Sequence, residues 1–126
     1  MSLDHAEHNE KACQLLFKTN EFNDWVVTTA FYSSLHYVNF KLFPLTKDEN
    51  KYENLSQYYK TLQLPRPALH NVTIELVSTY IKHISSFYRW LYDTCRTARY
   101  HNYKVDDQTA KMAILCLNNI KNVCIK

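Results

Sequence analysis

A short polar segment in the C-terminal third of the chain carries the residues best suited to bind an anion. Two arginines and one histidine lie close together there, among an amide and two phenols: Arg96, Arg99, Tyr100, His101, Asn102 and Tyr103. Guanidinium groups form paired hydrogen bonds to phosphate oxygens. The residue types therefore predict a site that suits a phosphate.

These residues lie at the end of a predicted helix. Polar residues recur there at steps of four, three and four, which places them on one stripe: Arg89, Asp93, Arg96 and Tyr100. A neighbouring apolar stripe predicts the buried face: Ile84, Phe87, Leu91, Cys95 and Ala98. Residues 68–100 follow a helical pattern almost throughout, and we predict a break near residues 82–85.

Each candidate also has an ordinary structural interpretation. Arg96 could form an ion pair with Asp93 on a solvated face, and Arg99 could simply keep the surface soluble. His101 could lie at the helix end because the helix dipole favours a cation there. His5 and His8 are three residues apart, but no third ligand lies nearby in the sequence, so we predict no metal site.

The composition favours helices joined by loops. The 126-residue chain contains no glycine, which is the default residue for positive φ, tight hairpins and phosphate-cradling loops. Hairpin-rich β folds, P-loops and dinucleotide-binding motifs are therefore disfavoured. The three prolines, Pro44, Pro65 and Pro67, fall between segments with helical spacing.

Apolar spacing divides the remaining sequence into further helices. We expect a first helix over about residues 4–20, with Glu7, Glu10 and Lys11 on its polar face, and a second that Asn23 or Asp24 caps and that ends near Leu42. We predict a loop over residues 43–54 and a short helix over residues 55–62. Asp106 is the predicted N-cap of the last helix. The predicted fold is all-α: an antiparallel up-and-down four-helix bundle with one or two short extra helices, forming a single domain over residues 1–126.

The second helix has two faces that should each contact other residues, one apolar and one more polar. Its buried stripe is Val27, Phe31, Leu35, Val38 and Leu42. Small residues beside that stripe would let another helix approach closely: Ala30, Ser33 and Ser34. A more polar face carries side chains that we expect to serve in packing or at an interface: Trp25, Thr29, Tyr32, His36 and Asn39.

Charge and cysteine usage add weaker constraints. A net charge of +3 does not by itself identify a nucleic-acid binder. The four cysteines, Cys13, Cys95, Cys116 and Cys124, lack the close spacing of a zinc site, and we expect buried thiols. No apolar run approaches the roughly 20 residues of a membrane span, and the N-terminus lacks the apolar core of a signal peptide. We therefore expect a cytoplasmic protein without a membrane partner.

Three regions of the chain resemble one known superfamily. Arg96 and His101 are separated by four residues, and the run Arg-Thr-Ala-Arg-Tyr-His is similar to the arginine-then-histidine motif of the HEPN superfamily (higher eukaryotes and prokaryotes nucleotide-binding domain). Residues 24–36 resemble the second helix of these domains, and residues 91–100 resemble the helix that bears the motif. The crossing loop and the final helix after the motif follow the same order.

The resemblance implies a four-helix bundle that forms a homodimer, with the two motifs meeting at the subunit interface. Many members are metal-independent RNases that act as toxins or defence effectors, so an antitoxin is an expected partner. By analogy, Arg96 would stabilise the charge on the scissile phosphate, and His101 would be the general acid or base while a ribose 2′-hydroxyl attacks. Arg99, Tyr100, Asn102 and Tyr103 would bind RNA or a nucleotide, and no metal or other cofactor would be needed.

One position departs from the pattern of the active members. They commonly carry Asn, Asp or His directly after the arginine, whereas this chain has Thr97, whose hydroxyl cannot replace a carboxylate or an imidazole. Asp93, Asn102 or His36 could supply a polar partner instead. The alternative function is therefore a non-catalytic module that binds a nucleotide or nucleic acid and has a separate nucleotidyltransferase as its partner. A purely structural bundle is the third interpretation.

Overall fold

The computed structural model describes residues 2–126, which form six α-helices and one small hairpin. Helix accounts for 74% of the structure, so the predicted all-α fold is confirmed. The elements in chain order are α1 (Ser2–Thr19), α2 (Asn23–Leu42), β1 (Leu45–Lys47), β2 (Asn50–Tyr52), α3 (Leu55–Lys60), α4 (Leu69–Tyr80), α5 (Ser85–Tyr100) and α6 (Asp107–Cys124). A 3-10 turn, Lys82–Ile84, separates α4 from α5 where the break was predicted.

Helix α2 lies at the centre and packs against α1, α4, α5 and α6. Helix α1 runs antiparallel to it, because the Cys13 thiol reaches the Val26 carbonyl at 3.4 Å while the Ser33 hydroxyl donates to the Ala6 carbonyl at 2.7 Å. Ser33 is fully buried, as are its neighbours Ala30 and Ser34. The small side chains of α2 therefore allow the close approach of α1 that the sequence predicts.

The predicted apolar stripes form the core. Leu91, Cys95 and Ala98 of α5 are buried, and Tyr88 joins them. The prediction for the cysteines is also confirmed, since all four are buried and free. Across residues 2–126, every helix is too short or too polar to cross a lipid bilayer.

A β-hairpin occupies the segment that the sequence predicts as a loop. Its strands pair antiparallel, with Leu45 opposite Tyr52, and its two turn residues have positive φ: 53° at Asp48 and 68° at Glu49. Such a turn usually contains glycine or asparagine. Leu45 is buried in the core and Tyr52 packs against it, so tertiary contacts hold the hairpin in place without glycine.

The N-cap predicted for α6 is confirmed, whereas the N-cap predicted for α2 is wrong. Asp106 caps α6 as predicted, accepting a hydrogen bond from the Thr109 backbone at 2.7 Å. The Thr109 side chain, and then this backbone bond, lower the pKa of Asp106. The prediction for α2 is wrong, because Phe22 is the N-cap residue and no side chain caps the helix. Asn23 instead donates to the Val105 carbonyl at 3.0 Å and to the Asp107 carboxylate at 2.9 Å, which joins the starts of α2 and α6.

Glu10 contradicts the predicted polar face of α1. It is only 7% exposed, and it lies where α1, α2 and α6 meet. The Tyr37 hydroxyl donates to one carboxylate oxygen at 2.6 Å, and the Lys121 ammonium donates to the other at 3.1 Å. A carboxylate can be buried when both oxygens are bonded in this way. Burial and the bond to Glu10 raise the pKa of Tyr37.

Candidate functional site

A cleft opens between α2, the start of α4 and the second half of α5. Its volume is about 530 Å³, within the range of small-molecule sites. Its lining residues come from three separate parts of the sequence: Phe31, Tyr32, Ala68, His70, Asn71, Tyr92, Cys95, Arg96, Arg99 and Tyr100. We call this the α5 cleft, because half of its lining comes from α5.

Arg99 is held in place by a residue from the neighbouring helix. Its Nη1 donates a hydrogen bond to the Tyr32 hydroxyl at 2.6 Å. The guanidinium also lies 5.8 Å from the centre of the Tyr32 ring and 5.3 Å from that of Tyr100. A guanidinium has five N–H donors, so this arrangement orients Arg99 and leaves donors for an anion.

Arg96 lies over an aromatic ring and not beside a carboxylate. Its guanidinium is 5.7 Å from the centre of the Tyr92 ring. Asp93, considered above as its ion-pair partner, instead pairs with Arg89 at 3.3 Å. Within residues 2–126 Arg96 makes no salt bridge. Its positive charge therefore remains available to a ligand.

The apolar part of the α5 cleft is made of tilted aromatic rings. The Tyr92 ring centre lies 5.3 Å from that of His70 and 5.7 Å from that of Phe31. Cys95 closes this wall, and burial raises the pKa of its thiol despite the nearby Arg99 charge. A thiol with a raised pKa is a poor nucleophile near neutral pH, so Cys95 serves in packing.

The electrostatics of the α5 cleft follow from its lining. Two guanidinium groups and one imidazole line it, together with four aromatic side chains, and its lining contains no carboxylate. Guanidinium groups suit phosphate oxygens, and tyrosine rings suit the flat face of a base. The arrangement can therefore bind a ligand that combines phosphate with an aromatic ring.

The two residues of the predicted motif have different surroundings. His101 follows the last residue of the helix and is exposed, and its backbone N–H donates to the Thr97 carbonyl at 3.0 Å. Arg96 lines the α5 cleft, whereas His101 is the C-cap residue of α5 and is not among the residues that line the cleft.

Comparison with known proteins decides the family. The HEPN domain model matches residues 1–126, which is the whole chain. This chain belongs to the HEPN domain family. No curated protein and no solved structure matches it. Membership supports a nucleotide-binding or RNase-type module in general, and dimerisation is common among such domains.

Three of the site residues predicted for this HEPN domain come together in the α5 cleft: Arg96, Arg99 and Tyr100. Thr97 lies on another side of α5, where its hydroxyl donates to the Asp93 carbonyl at 3.2 Å. Thr97, Asp93 and Asn102 line a separate groove near the start of α6, and Tyr103 lines a third groove beside Glu21 and Asp24.

His36, the remaining accessory candidate, lies in a groove next to the α5 cleft. Its ring stacks on that of His5, with centres 3.9 Å apart and planes at 17°. Burial, and then the charge of His5, lower the pKa of His36. His5 and His8 are both exposed, and residues 2–126 contain no group of three or more metal-binding side chains arranged around one point.

Two residues of the α5 cleft were missed by the sequence reasoning. His70 and Asn71 lie in the first turn of α4, just after the proline-containing segment. Nothing in their local pattern marks them, because their role depends on how α4 packs against α5. Phe31 and Tyr92 were recognised only as helix residues, for the same reason.

Proposed function

We propose that the α5 cleft binds RNA or a nucleotide through a phosphate. The observation that carries this proposal is the pair Arg96 and Arg99, each lying over a tyrosine ring in a cleft whose lining has no carboxylate. Guanidinium forks bind phosphate oxygens two at a time, and stacking on tyrosine does not depend strongly on which base is present. Membership of the HEPN family supports the same class of ligand.

The second candidate function is metal-independent cleavage of RNA. Arg96 and His101 are both exposed near the end of α5, at the motif spacing of active HEPN domains. Arg96 would stabilise the negative charge that develops on the phosphate. The 2′-oxygen would bond to phosphorus and the bond to the 5′-oxygen would break, leaving a 2′,3′-cyclic phosphate, and His101 would take or return the proton.

A homodimer is part of this candidate, because His101 does not line the cleft that contains Arg96 of the same chain. If the motifs of two protomers meet at the interface, arginine and histidine side chains from both chains line a shared site. Such an RNase would act as a toxin or defence effector, with an antitoxin as its partner. The non-catalytic alternative keeps the same ligand site and works beside a nucleotidyltransferase.

One series of RNA incubations separates these functions. Wild-type protein, Arg96→Ala and His101→Ala are each mixed with RNA in the presence of a chelator, and both retained binding and the ends of the products are measured. The RNase function predicts 2′,3′-cyclic phosphate ends in the wild type and in neither variant. Because His101 lies outside the α5 cleft, His101→Ala should still bind RNA, whereas Arg96→Ala should bind it weakly.

Three other results would each reject one of these functions or one residue's role in it. Intact RNA that is bound by the wild type would reject the RNase and leave the binding module. Cleavage that persists in His101→Ala would reject the acid–base role of that residue. No binding by the wild type would reject the proposed function as a whole.

A further inference from the structure

We infer that a second base-binding subsite adjoins the α5 cleft and that the ligand is therefore a single RNA strand of at least two nucleotides. The subsite is the groove between α1 and α2 that contains Trp25, His36 and His5, called here the Trp25 groove. This inference rests on the proposed function, since it extends the same ligand beyond the first site.

The two sites are continuous. The Trp25 groove has a volume of about 440 Å³, and Tyr32 and Arg99 line both it and the α5 cleft. The hydrogen bond between these two side chains fixes the guanidinium at the border. A phosphate that joins two nucleotides would lie at this border, with one base on either side.

The Trp25 groove offers its own surface for a base. Trp25 is 53% exposed, although a large apolar ring is usually covered. Trp25 and Tyr32 are seven residues apart on α2, which corresponds to about 10 Å along the helix axis. One base cannot stack on both rings at that separation, whereas successive nucleotides of one strand can. Stacking on Trp25 requires an unpaired base, so the geometry selects a single strand over a duplex.

The charge distribution favours a polyanion along this path over three other grooves of the described surface. Neither the Trp25 groove nor the α5 cleft has a carboxylate in its lining, and both contain Arg99. Three other surface grooves each include acidic residues: Glu75 in one, Glu21, Asp24 and Asp106 in another, and Asp93 and Asp106 in the third. Carboxylates repel a phosphate backbone, so these grooves do not extend the path.

The test compares a nucleoside monophosphate with a single-stranded RNA tetranucleotide, using calorimetric titration of the wild type, Trp25→Leu and Trp25→Phe. Stacking on an aromatic ring contributes enough that we expect the tetranucleotide to bind the wild type about 10-fold more tightly than the monophosphate. Trp25→Leu should lose this advantage and keep the monophosphate affinity. Trp25→Phe should retain most of it, because the ring is preserved.

Phe40→Leu is the matched control, since Phe40 is a 42% exposed aromatic residue of the same helix that lines neither site. It should leave both affinities unchanged. Tryptophan fluorescence is a second measurement, and it does not depend on the Trp25→Leu protein. It is informative because the chain has only two tryptophans. The tetranucleotide, and not the monophosphate, should quench the wild type strongly, and Trp25→Phe should lack that quenching.

Equal affinities of the wild type for the two ligands would overturn the inference, as would an unchanged tetranucleotide affinity in a folded Trp25→Leu protein. In both cases monophosphate binding would still support the proposed function. If the wild type binds neither ligand, the proposed function fails first and the second subsite fails with it.

Discussion

At the scale of single residues, the arginines of the α5 cleft are ordered before any ligand arrives. Arg96 lies over Tyr92, and Arg99 lies between Tyr32 and Tyr100 while bonded to the Tyr32 hydroxyl. Immobilising a long side chain on binding costs about 0.5–1.5 kcal/mol. Part of this cost is already met when the protein folds, which favours tight binding of a phosphate at these positions.

The stacked pair His5 and His36 gives a residue-scale prediction about pH. Because burial lowers the pKa of His36 below its ordinary value of 6.5, the native state takes up a proton less readily than the unfolded chain. The stability that follows from this difference is complete above pH 6.5 and is lost as the pH falls below it. We expect the free energy of unfolding, measured in urea, to decrease from pH 7.5 to pH 5.5 more steeply in the wild type than in His36→Gln.

His8→Gln is the control for this experiment, because His8 is an exposed histidine of α1 that is not part of the stack. It should follow the wild-type pH dependence. Identical slopes for the wild type and His36→Gln would show that His36 titrates normally in the folded protein.

At the scale of elements, one buried carboxylate joins three helices. Glu10 of α1 accepts hydrogen bonds from Tyr37 of α2 and Lys121 of α6. We expect Glu10→Ala to lower the free energy of unfolding by about 1–3 kcal/mol, since it leaves a buried hydroxyl and an ammonium group without their acceptor. Chemical denaturation measures this loss, and a double-mutant cycle with Tyr37→Phe isolates the coupling between the two side chains.

Glu7→Ala tests the same change on the exposed face of α1. Its effect should stay within about 0.5 kcal/mol, as is usual for surface positions. If Glu10→Ala were no more destabilising than Glu7→Ala, the buried network would not contribute to holding the helices together.

The sequence predicts elements well where periodicity or a local cap defines them. The apolar stripes, the break at Lys82–Ile84 and the cap at Asp106 are such cases. The hairpin around Asp48 and Glu49 was missed, because its strands are three residues long and its turn lacks glycine. The burial of Glu10 was missed because Tyr37 and Lys121 are distant in the sequence. Local patterns carry no information about such partners.

At the scale of the whole molecule, the candidate site depends on packing between distant segments. Arg96, Arg99 and Tyr100 could be identified from one stretch of sequence, since a single helix carries them. His70, Asn71 and the ring of Tyr32 join them only when α4 and α2 pack against α5. The absence of His101 from the lining of the α5 cleft is likewise visible only in the folded chain.

We predict that the whole molecule is a homodimer. A shared site at an interface would let two chains supply the arginine and the histidine of the motif together, since His101 does not line the cleft that contains Arg96 of the same chain. We expect light scattering after size-exclusion chromatography to give the mass of two chains at micromolar concentration. A monomeric mass at that concentration would contradict the dimer and, with it, the shared site proposed for cleavage.

The central claim, that the α5 cleft binds RNA through a phosphate, is tested most directly by the affinity of arginine variants for a labelled single-stranded RNA at fixed salt. Charged hydrogen bonds contribute about 1.5–3 kcal/mol, so Arg96→Ala and Arg99→Ala should each weaken binding roughly 10- to 100-fold. Arg89→Ala is the control, because it removes the same charge from the same helix at a position outside the cleft. Arg89 is already paired with Asp93, so its loss should change the affinity less than about twofold. Equal losses in all three variants, or no loss in Arg96→Ala and Arg99→Ala, would contradict the claim.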